Sequence, residues 1–547
     1  SVGSIMSMYL SKTETILIVL VGLSLVVATG LLWVKIPKMR GKINYSLSLA
    51  IVVVSVLVTV GINRLEVNLG LIDLDLGNIA YTYDQCGFAY CFVNSVVNVG
   101  IDKPYNYNED TMVSLKEEIE DLDKRADTER PNVIFVQLES FYDVNRMANY
   151  TYSSNPVPNW EKLKKDYASG YLTVPSIGAG TANTEFEVIS GMSLDYFGFC
   201  EYPYKTILKN SNCESICYNL SELGYTSTAI HDNKGNFYSR NKVFSRLGFD
   251  NFISLEYMDD VEYNPLGWAK DECLIDQITG TLDSTDNQDF IYTITVQPHG
   301  KYPDTQVDPD RAITMTGEDD PIVKNQYEYY VNQVYEEDKF IKKLTDTLSN
   351  YDEDVVLVMY GDHLPTFEMS VDDLKSGNLY QTEYVIWSNF GLEAKNQDLN
   401  TFQLGATVMG DLNFDNGVLT KLHQNMKDDD DYQEKLVLMQ FDMLYGNKYV
   451  YDGYMPYSKT KLHMGMIGKE QTLKLASNQC GHVYVYGSNF NKWSYVFING
   501  TKQETELYKE GTLVVRDTQL KSGDRVVVKQ LAGGTSSVSK TEEYIYN

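Results

Sequence analysis

Cysteine is scarce in this chain. Seven occur in 547 residues, at positions 86, 91, 200, 213, 217, 273 and 480, with no CxxC pair, too sparse for a disulfide scaffold. Cys213 and Cys217 stand four apart with Cys200 nearby, which leaves room for one bridge in an oxidising compartment; the rest read as small buried hydrophobes. Basic residues are also in the minority, 46 Lys and Arg against 75 Asp and Glu, for a formal charge of -29. That argues against a nucleic-acid partner held by phosphate neutralisation. An anionic substrate must then be held by local groups, because fields are screened beyond about 8 Å in physiological salt. Internal repeats and low-complexity tracts are absent. What is present is a core: hydrophobic residues make up 43% and aromatics 12%, with 42 Tyr, which excludes disorder, and the length calls for three or four units.

Two apolar runs open the chain, Thr15 to Val34 and Ile43 to Ile62, each long enough to cross about 30 Å of hydrocarbon as a helix. The loop between them carries Lys35, Lys38, Arg40 and Lys42, so the positive-inside rule places it in the cytoplasm and everything beyond about Arg64 outside. This predicts a multi-pass cell-membrane protein with an extracellular catalytic domain. The start at Ser1 without Met points to further upstream spans. Residues 65–128 read as a juxtamembrane linker, first apolar and then a charged, solvated helix.

From 129 to 447 short apolar runs, NVIFVQL, TSTAI, FIYTITV, VVLVMY and YVIW, alternate with helical stretches such as Pro321 to Leu348. This predicts an α/β domain with a mainly parallel sheet flanked by helices. Residues 448–468 read as a linker. From 469 to 547 short strands with turn signals at Asn499-Gly500 and around Gly523 predict a small β-sandwich module.

In an open parallel sheet the ligand site lies beyond the carboxyl ends of the strands. Glu139, His231, His299, Asp362 and His363 come just after the ends of the first four apolar runs. A carboxylate, an adjacent Asp-His pair and a hydroxyl suit one divalent metal, Mn, Mg or Zn, better than a soft ion. The hydroxyl comes from Thr181, which follows Gly178 and Gly180 at the start of a predicted helix, where N–H groups and the dipole favour a phosphate. The competing role for Thr181 is a plain N-cap. His423, His463 and His482 have no such setting and read as packing or surface residues.

Together QLES, GAGTANTEFEV, HDNKGNFYSRN, QPHGKYP and YGDHLP resemble the lipoteichoic acid synthase branch of the alkaline phosphatase and sulfatase superfamily, whose phosphoglycerol transferases carry these motifs in this order. The resemblance implies a sulfatase-like domain with Glu139, Thr181, Asp362 and His363 as ligands of a metal, usually Mn2+, and with Thr181 as nucleophile. It implies that Arg240 and His299 bind glycerophosphate, with His231, Asn233 and Tyr238 in the same substrate site. Asn233 stands where some members have Asp, and Tyr238 where they have Trp, which leaves head-group or acceptor preference open. The implied reaction moves glycerophosphate from phosphatidylglycerol to a polymer or glycan at the cell envelope. Two alternatives stand beside it: a phosphoethanolamine transferase or related phosphodiester hydrolase, and an inactive cell-wall polymer-binding protein. A formylglycine sulfatase is excluded, since none of the cysteines has a C-x-P-x-R context.

The predicted topology has a direct check. On intact cells a membrane-impermeant amine reagent should leave the Lys35 to Lys42 loop unlabelled and modify lysines beyond residue 130. The reverse pattern overturns the extracellular assignment.

Overall fold

The computed structural model describes residues 12–35, 44–68, 79–120, 130–198 and 201–547. The chain divides into two compact units, Ser1–Asp73 and Leu74–Asn547.

In the first unit the two expected spans fall on helices of 24 residues each, Lys12–Lys35 and Tyr45–Asn68. Their apolar side chains, Leu20, Val26, Leu49 and Val52 among them, are exposed. Among the described residues no helix is long and apolar enough to cross a membrane; the side chains at 18–19 and 59–60, inside these helices, fall outside that set. Ile43 and the basic loop positions Lys38, Arg40 and Lys42 also lie outside the described residues.

The second unit is built on a nine-stranded sheet. Its strands in chain order are β1 (Asn132–Leu138), β2 (Ala168–Thr173), β3 (Thr226–His231), β4 (Asn251–Ser254), β5 (Asp289–Ile294), β6 (Val355–Gly361), β7 (Gln381–Ser388), β8 (Leu399–Asn400) and β9 (His463–Met464), arranged β8-β2-β7-β6-β1-β5-β3-β4-β9. From β6 to β9 every neighbouring pair is parallel. At the other edge β7 runs antiparallel to both β6 and β2. This is the mainly parallel α/β sheet that the alternating runs predict.

The central strands are buried on both faces, as a helix-covered parallel sheet requires. Phe135, Phe290, Tyr292, Val356 and Val358 face one core with Phe186 and Leu422; Ile134, Val136, Ile291, Leu357 and Met359 face the other with Val334 and Ile341. The side-chain alternation of period two thus feeds two separate layers. The helix Pro321–Leu348 starts where the Asp320 side chain accepts from the N–H groups of Ile322 (2.8 Å) and Val323 (3.2 Å), with Pro321 in its first turn. The charged helix before the domain, Glu109–Glu120, is less solvated than its sequence suggests. Met112, Leu115 and Ile119 form a buried stripe against the first core. Cys213 and Cys217 are buried free thiols, and Cys200 lies outside the described residues.

The C-terminal strands form two antiparallel sheets around Val483, Val485, Val496, Leu513, Val526 and Val528. The segment read as a linker before them supplies β9, which lies beside β4 at the edge of the main sheet.

His423 is buried, as a packing residue would be. Its Nδ1 accepts from the Tyr432 hydroxyl and its Nε2 donates to the Gly191 carbonyl, both at 2.7 Å. Burial pulls its pKa down from 6.5 to about 4. The folded chain therefore binds fewer protons than the unfolded one, so this contribution is complete above about pH 6.5 and is lost as pH falls through 4. The gap corresponds to about 3 kcal/mol at most. The thermal midpoint should fall between pH 7 and pH 4.5, and fall less in His423→Gln, which cannot be protonated. Equal falls would assign the acid sensitivity to other groups.

Candidate active site

Four of the predicted residues meet behind the carboxyl ends of β1 and β6. Ligand atoms of Glu139, Asp362 and His363 lie within 4.8 Å of one another, and all three side chains are buried. His363 Nε2 stands 3.8 Å from Glu139 Oε1 and 3.5 Å from Asp362 Oδ2. Its Nδ1 bonds the Leu364 carbonyl at 2.9 Å, which makes Nδ1 the donor and leaves Nε2 as a bare acceptor. Neither His363 Nε2 nor Asp362 Oδ2 has a hydrogen-bond partner. Burial, and then the Glu139 charge, push the Asp362 carboxyl well above its ordinary range. Two carboxylates and a bare imidazole nitrogen in a dry site match the oxygen and nitrogen donors of a divalent cation.

Thr181 adds the hydroxyl. Its Oγ1 donates to Glu139 Oε2 at 3.1 Å, and it is the first residue of the helix Thr181–Ser190, whose N-cap is Gly180. The N-cap role for Thr181 is therefore not the one it takes. Gly180 has φ of +110°, and a Cβ there would stand 2.5 Å from Ser176 Oγ, so only glycine brings the chain into the helix at this point. Gln137 Nε2 fixes the Thr181 carbonyl at 3.1 Å. Ser140 donates its N–H to Asp362 Oδ1 and its hydroxyl to Glu139 Oε1, both at 2.8 Å. Both carboxylates are thus aimed by one residue, Ser140, at the end of β1.

Arg240 is the second centre. It is 1% exposed and forks onto Glu185, with Nε 3.2 and 3.1 Å from the two carboxylate oxygens and Nη2 at 2.5 Å from Oε1. Glu185 follows Thr181 by four positions, on the same face of the helix. Arg240 Nη1 is buried without a partner, so one donor of the guanidinium is held in reserve for an anion. Tyr238 lies against it, its ring 5.1 Å from the guanidinium carbon and stacked on Tyr202. His231 is buried and bonds the Ile294 carbonyl through Nδ1 at 2.9 Å. Burial, and then the Arg240 charge, hold its pKa well below the ordinary histidine range. Asn233 is buried and braces its own turn, accepting from Lys234 N through Oδ1 at 2.7 Å and from Leu255 N through its carbonyl at 3.1 Å. His299 is half-buried, with the Trp268 ring 4.4 Å away.

Sequence reading missed Glu185, Asp271, Glu337 and Trp268. Asp271 Oδ1 accepts from Val296 N (2.9 Å) and Gln297 N (3.1 Å), fixing the loop that leads to His299. Glu337 accepts from Thr295 Oγ1 at 2.8 Å, and Thr295 Oγ1 accepts from the Glu139 N–H at 2.8 Å. The only signal of the three acids in the sequence was a carboxylate on an otherwise amphipathic helix or in a loop, and Trp268 gave none.

The family model described as Sulfatase matches residues 131–414, just over half of the chain. The chain belongs to the sulfatase family. This sulfatase-family protein is similar to a Rhizobium meliloti (strain 1021) protein named for cyclic beta-1,2-glucan modification, 27% identical over 326 residues, 56% of this chain and 49% of that protein. It is also similar to a lipoteichoic acid synthase of Staphylococcus saprophyticus, 27% identical over 246 residues, 43% of this chain and 36% of that protein. The chain thus spans about half or less of the length of these curated relatives. Its fold is shared with the Streptococcus pyogenes phosphoglycerol transferase GacH, solved with sn-glycerol-1-phosphate, at a TM-score of 0.58 and 23% identity over 65% of this chain and 100% of that one.

Replacing Glu185 by Ala leaves the Arg240 charge buried and unpaired, which typically costs about 3 kcal/mol or more. Calorimetry on Glu185→Ala should show a lowered thermal midpoint. An unchanged midpoint would mean that another group takes over the guanidinium.

Proposed function

We propose that this chain is a membrane-anchored phosphoglycerol transferase that moves glycerophosphate from phosphatidylglycerol to a polymer or glycan of the cell envelope, with Thr181 as the nucleophile. Thr181 carries this reading: its hydroxyl sits at a helix N-terminus, hydrogen-bonded to Glu139 at 3.1 Å, beside Asp362 and His363, whose site-facing atoms have no partner. The names of similar proteins support the substrate class, lipoteichoic acid synthase and phosphoglycerol transferase among them. The glucan-modification relative supports a glycan acceptor. The two uncharged apolar runs near the start of the sequence support the membrane anchor, and the basic loop between them supports an extracellular catalytic domain.

A divalent cation held by Glu139, Thr181, Asp362 and His363, Mn2+ on the family resemblance, would lower the pKa of the threonine hydroxyl and offset charge on the phosphate. The rest falls to the chain itself. Arg240 is already neutralised by Glu185, so it offers the phosphate an oriented donor at Nη1 more than net charge, a charge-assisted bond of roughly 1.5–3 kcal/mol. His231, kept neutral with its proton on Nδ1, leaves Nε2 as an acceptor for a substrate hydroxyl. Thr181 Oγ attacks phosphorus and the bond to diacylglycerol breaks, the departing oxygen taking a proton. Glycerophosphoryl-threonine remains. An acceptor hydroxyl then attacks the same phosphorus and Thr181 recovers its proton.

Brief incubation of the protein with phosphatidylglycerol, acid quench and peptide mass spectrometry should place one glycerophosphoryl group on the peptide containing Thr181. Thr181→Ala should release no diacylglycerol. Parallel incubation with phosphatidylethanolamine tests the phosphoethanolamine alternative. Substantial release by Thr181→Ala would make water the attacking group and the protein a hydrolase.

A further inference from the structure

The β module contributes none of the residues above, yet it is fastened to the segment that leads to His299. Asn491 Nδ2 donates to the Glu256 carbonyl at 2.9 Å, buried Gln530 donates to the same carbonyl, and the Tyr257 hydroxyl donates to Ser539 Oγ at 2.6 Å. Asn491 Oδ1 also receives the Trp493 N–H at 3.0 Å, so the Lys492-Trp493 turn is set by the same residue that docks it. Trp493 packs with Val261 and Trp268 around buried Leu255, Ala269 and Val296.

On the catalytic side a tight hairpin brings Tyr263 opposite Ala269. Asn264 holds it, accepting from Trp268 N through Oδ1 at 3.0 Å and donating through Nδ2 to the Gln297 carbonyl at 3.0 Å, two residues before His299. Trp268 lies 4.4 Å from the His299 ring. Tyr263 is 41% exposed, with Lys492 Nζ 5.4 Å from its ring and 3.4 Å from its hydroxyl. Three aromatic side chains and one lysine, drawn from both the catalytic domain and the module, are thus continuous with the candidate active site at His299.

We propose that this is an acceptor subsite: Tyr263, Trp268, Lys492 and Trp493 form a shelf beside His299 that holds the sugar of a neutral glycan. The proposal rests on the transferase reading above and narrows its acceptor. Tyr263 is exposed and Trp268 and Trp493 are half-buried, with Trp493 Nε1 turned inward; the aromatic faces match the C–H faces of a pyranose, and the Tyr263 hydroxyl and Lys492 ammonium its hydroxyl rim. Charge separates the two acceptor classes. Asp259, Asp260 and Glu262 are exposed in the segment that carries Tyr263, and Lys270 is already drawn to Glu262 at 3.8 Å. A glycerophosphate polymer, with one negative charge per unit, would meet like charge here; a neutral glycan would not.

The test uses the full chain with phosphatidylglycerol as donor and, as acceptor, either a neutral gluco-oligosaccharide or a glycerophosphate oligomer. Mass spectrometry reads the ratio of transferred to hydrolysed glycerophosphate. We expect transfer to the oligosaccharide, and a transfer-to-hydrolysis ratio lowered about tenfold in Tyr263→Ala and Trp493→Ala but restored toward the native value in Trp493→Phe. A preference for the glycerophosphate oligomer overturns the proposal. So does a variant in which both products fall together at a constant ratio, since the module would then only buttress the fold. If the native protein consumes no phosphatidylglycerol, the transferase reading fails. The shelf is then judged by tryptophan fluorescence: saturable quenching by the oligosaccharide in the native chain that weakens about tenfold in Tyr263→Ala supports it, and no saturable quenching overturns it.

Discussion

Glu139, Glu185, Asp232, Asp271, Glu337 and Asp362 are all buried, and the guanidinium of Arg240 is tied to only one of them. Like charges this close in a dry interior cannot all be carried without compensation. Burial pushes Asp232, Glu337 and Asp362 well up, and Asp271 to about 6. The surroundings are arranged to relieve that load. Backbone N–H groups of Ser140, Val296 and Gln297 point at carboxylate oxygens, and Thr295 links Glu139 to Glu337. A cation among Glu139, Asp362 and His363 would offset the repulsion between Glu139 and Asp362. The same condition keeps Arg240 from acting as a free positive charge, because its partner Glu185 is built into the helix that begins with Thr181.

What the sequence made legible follows from where the signals lie. Glu139, Asp362 and His363 stand out because they follow largely apolar strands, and in a parallel sheet those strand ends converge. Thr181 was marked by the glycines before it, and Gly180 proves to be the cap that frees the threonine side chain. Glu185 gave no comparable signal. In TANTEFEVIS a glutamate looks like the solvated side of a helix, yet all ten residues of that helix are buried, which only tertiary packing decides. The strands missed from the sequence, β2, β4, β8 and β9, are short or lie toward the edges. In β2 the exposure pattern is mixed, so no apolar run announces it.

A sulfatase-family fold by itself leaves the chemistry open, since one scaffold hosts several reactions. On the proposed reading the choice falls to Thr181 and to side chains outside the strand ends. Two such side chains are Tyr238, stacked on Tyr202 and lying against Arg240, and Trp268 beside His299. The first is local to the motif that carries Arg240. The second depends on a hairpin and on a module more than two hundred residues away in sequence.

Because β9 comes from residues beyond the catalytic domain and lies against β4, the main sheet is completed by chain that follows it. A protease cutting the exposed stretch around Gly453 and Tyr454 would therefore not shed an intact catalytic domain from the module. The two fragments would stay joined through the β4–β9 pairing and the Glu256, Asn491 and Gln530 contacts. Forced separation would leave β4 as a bare sheet edge, a ready template for non-native pairing. Nicking and release are separate events in this molecule, and only the second would expose the sheet to aggregation.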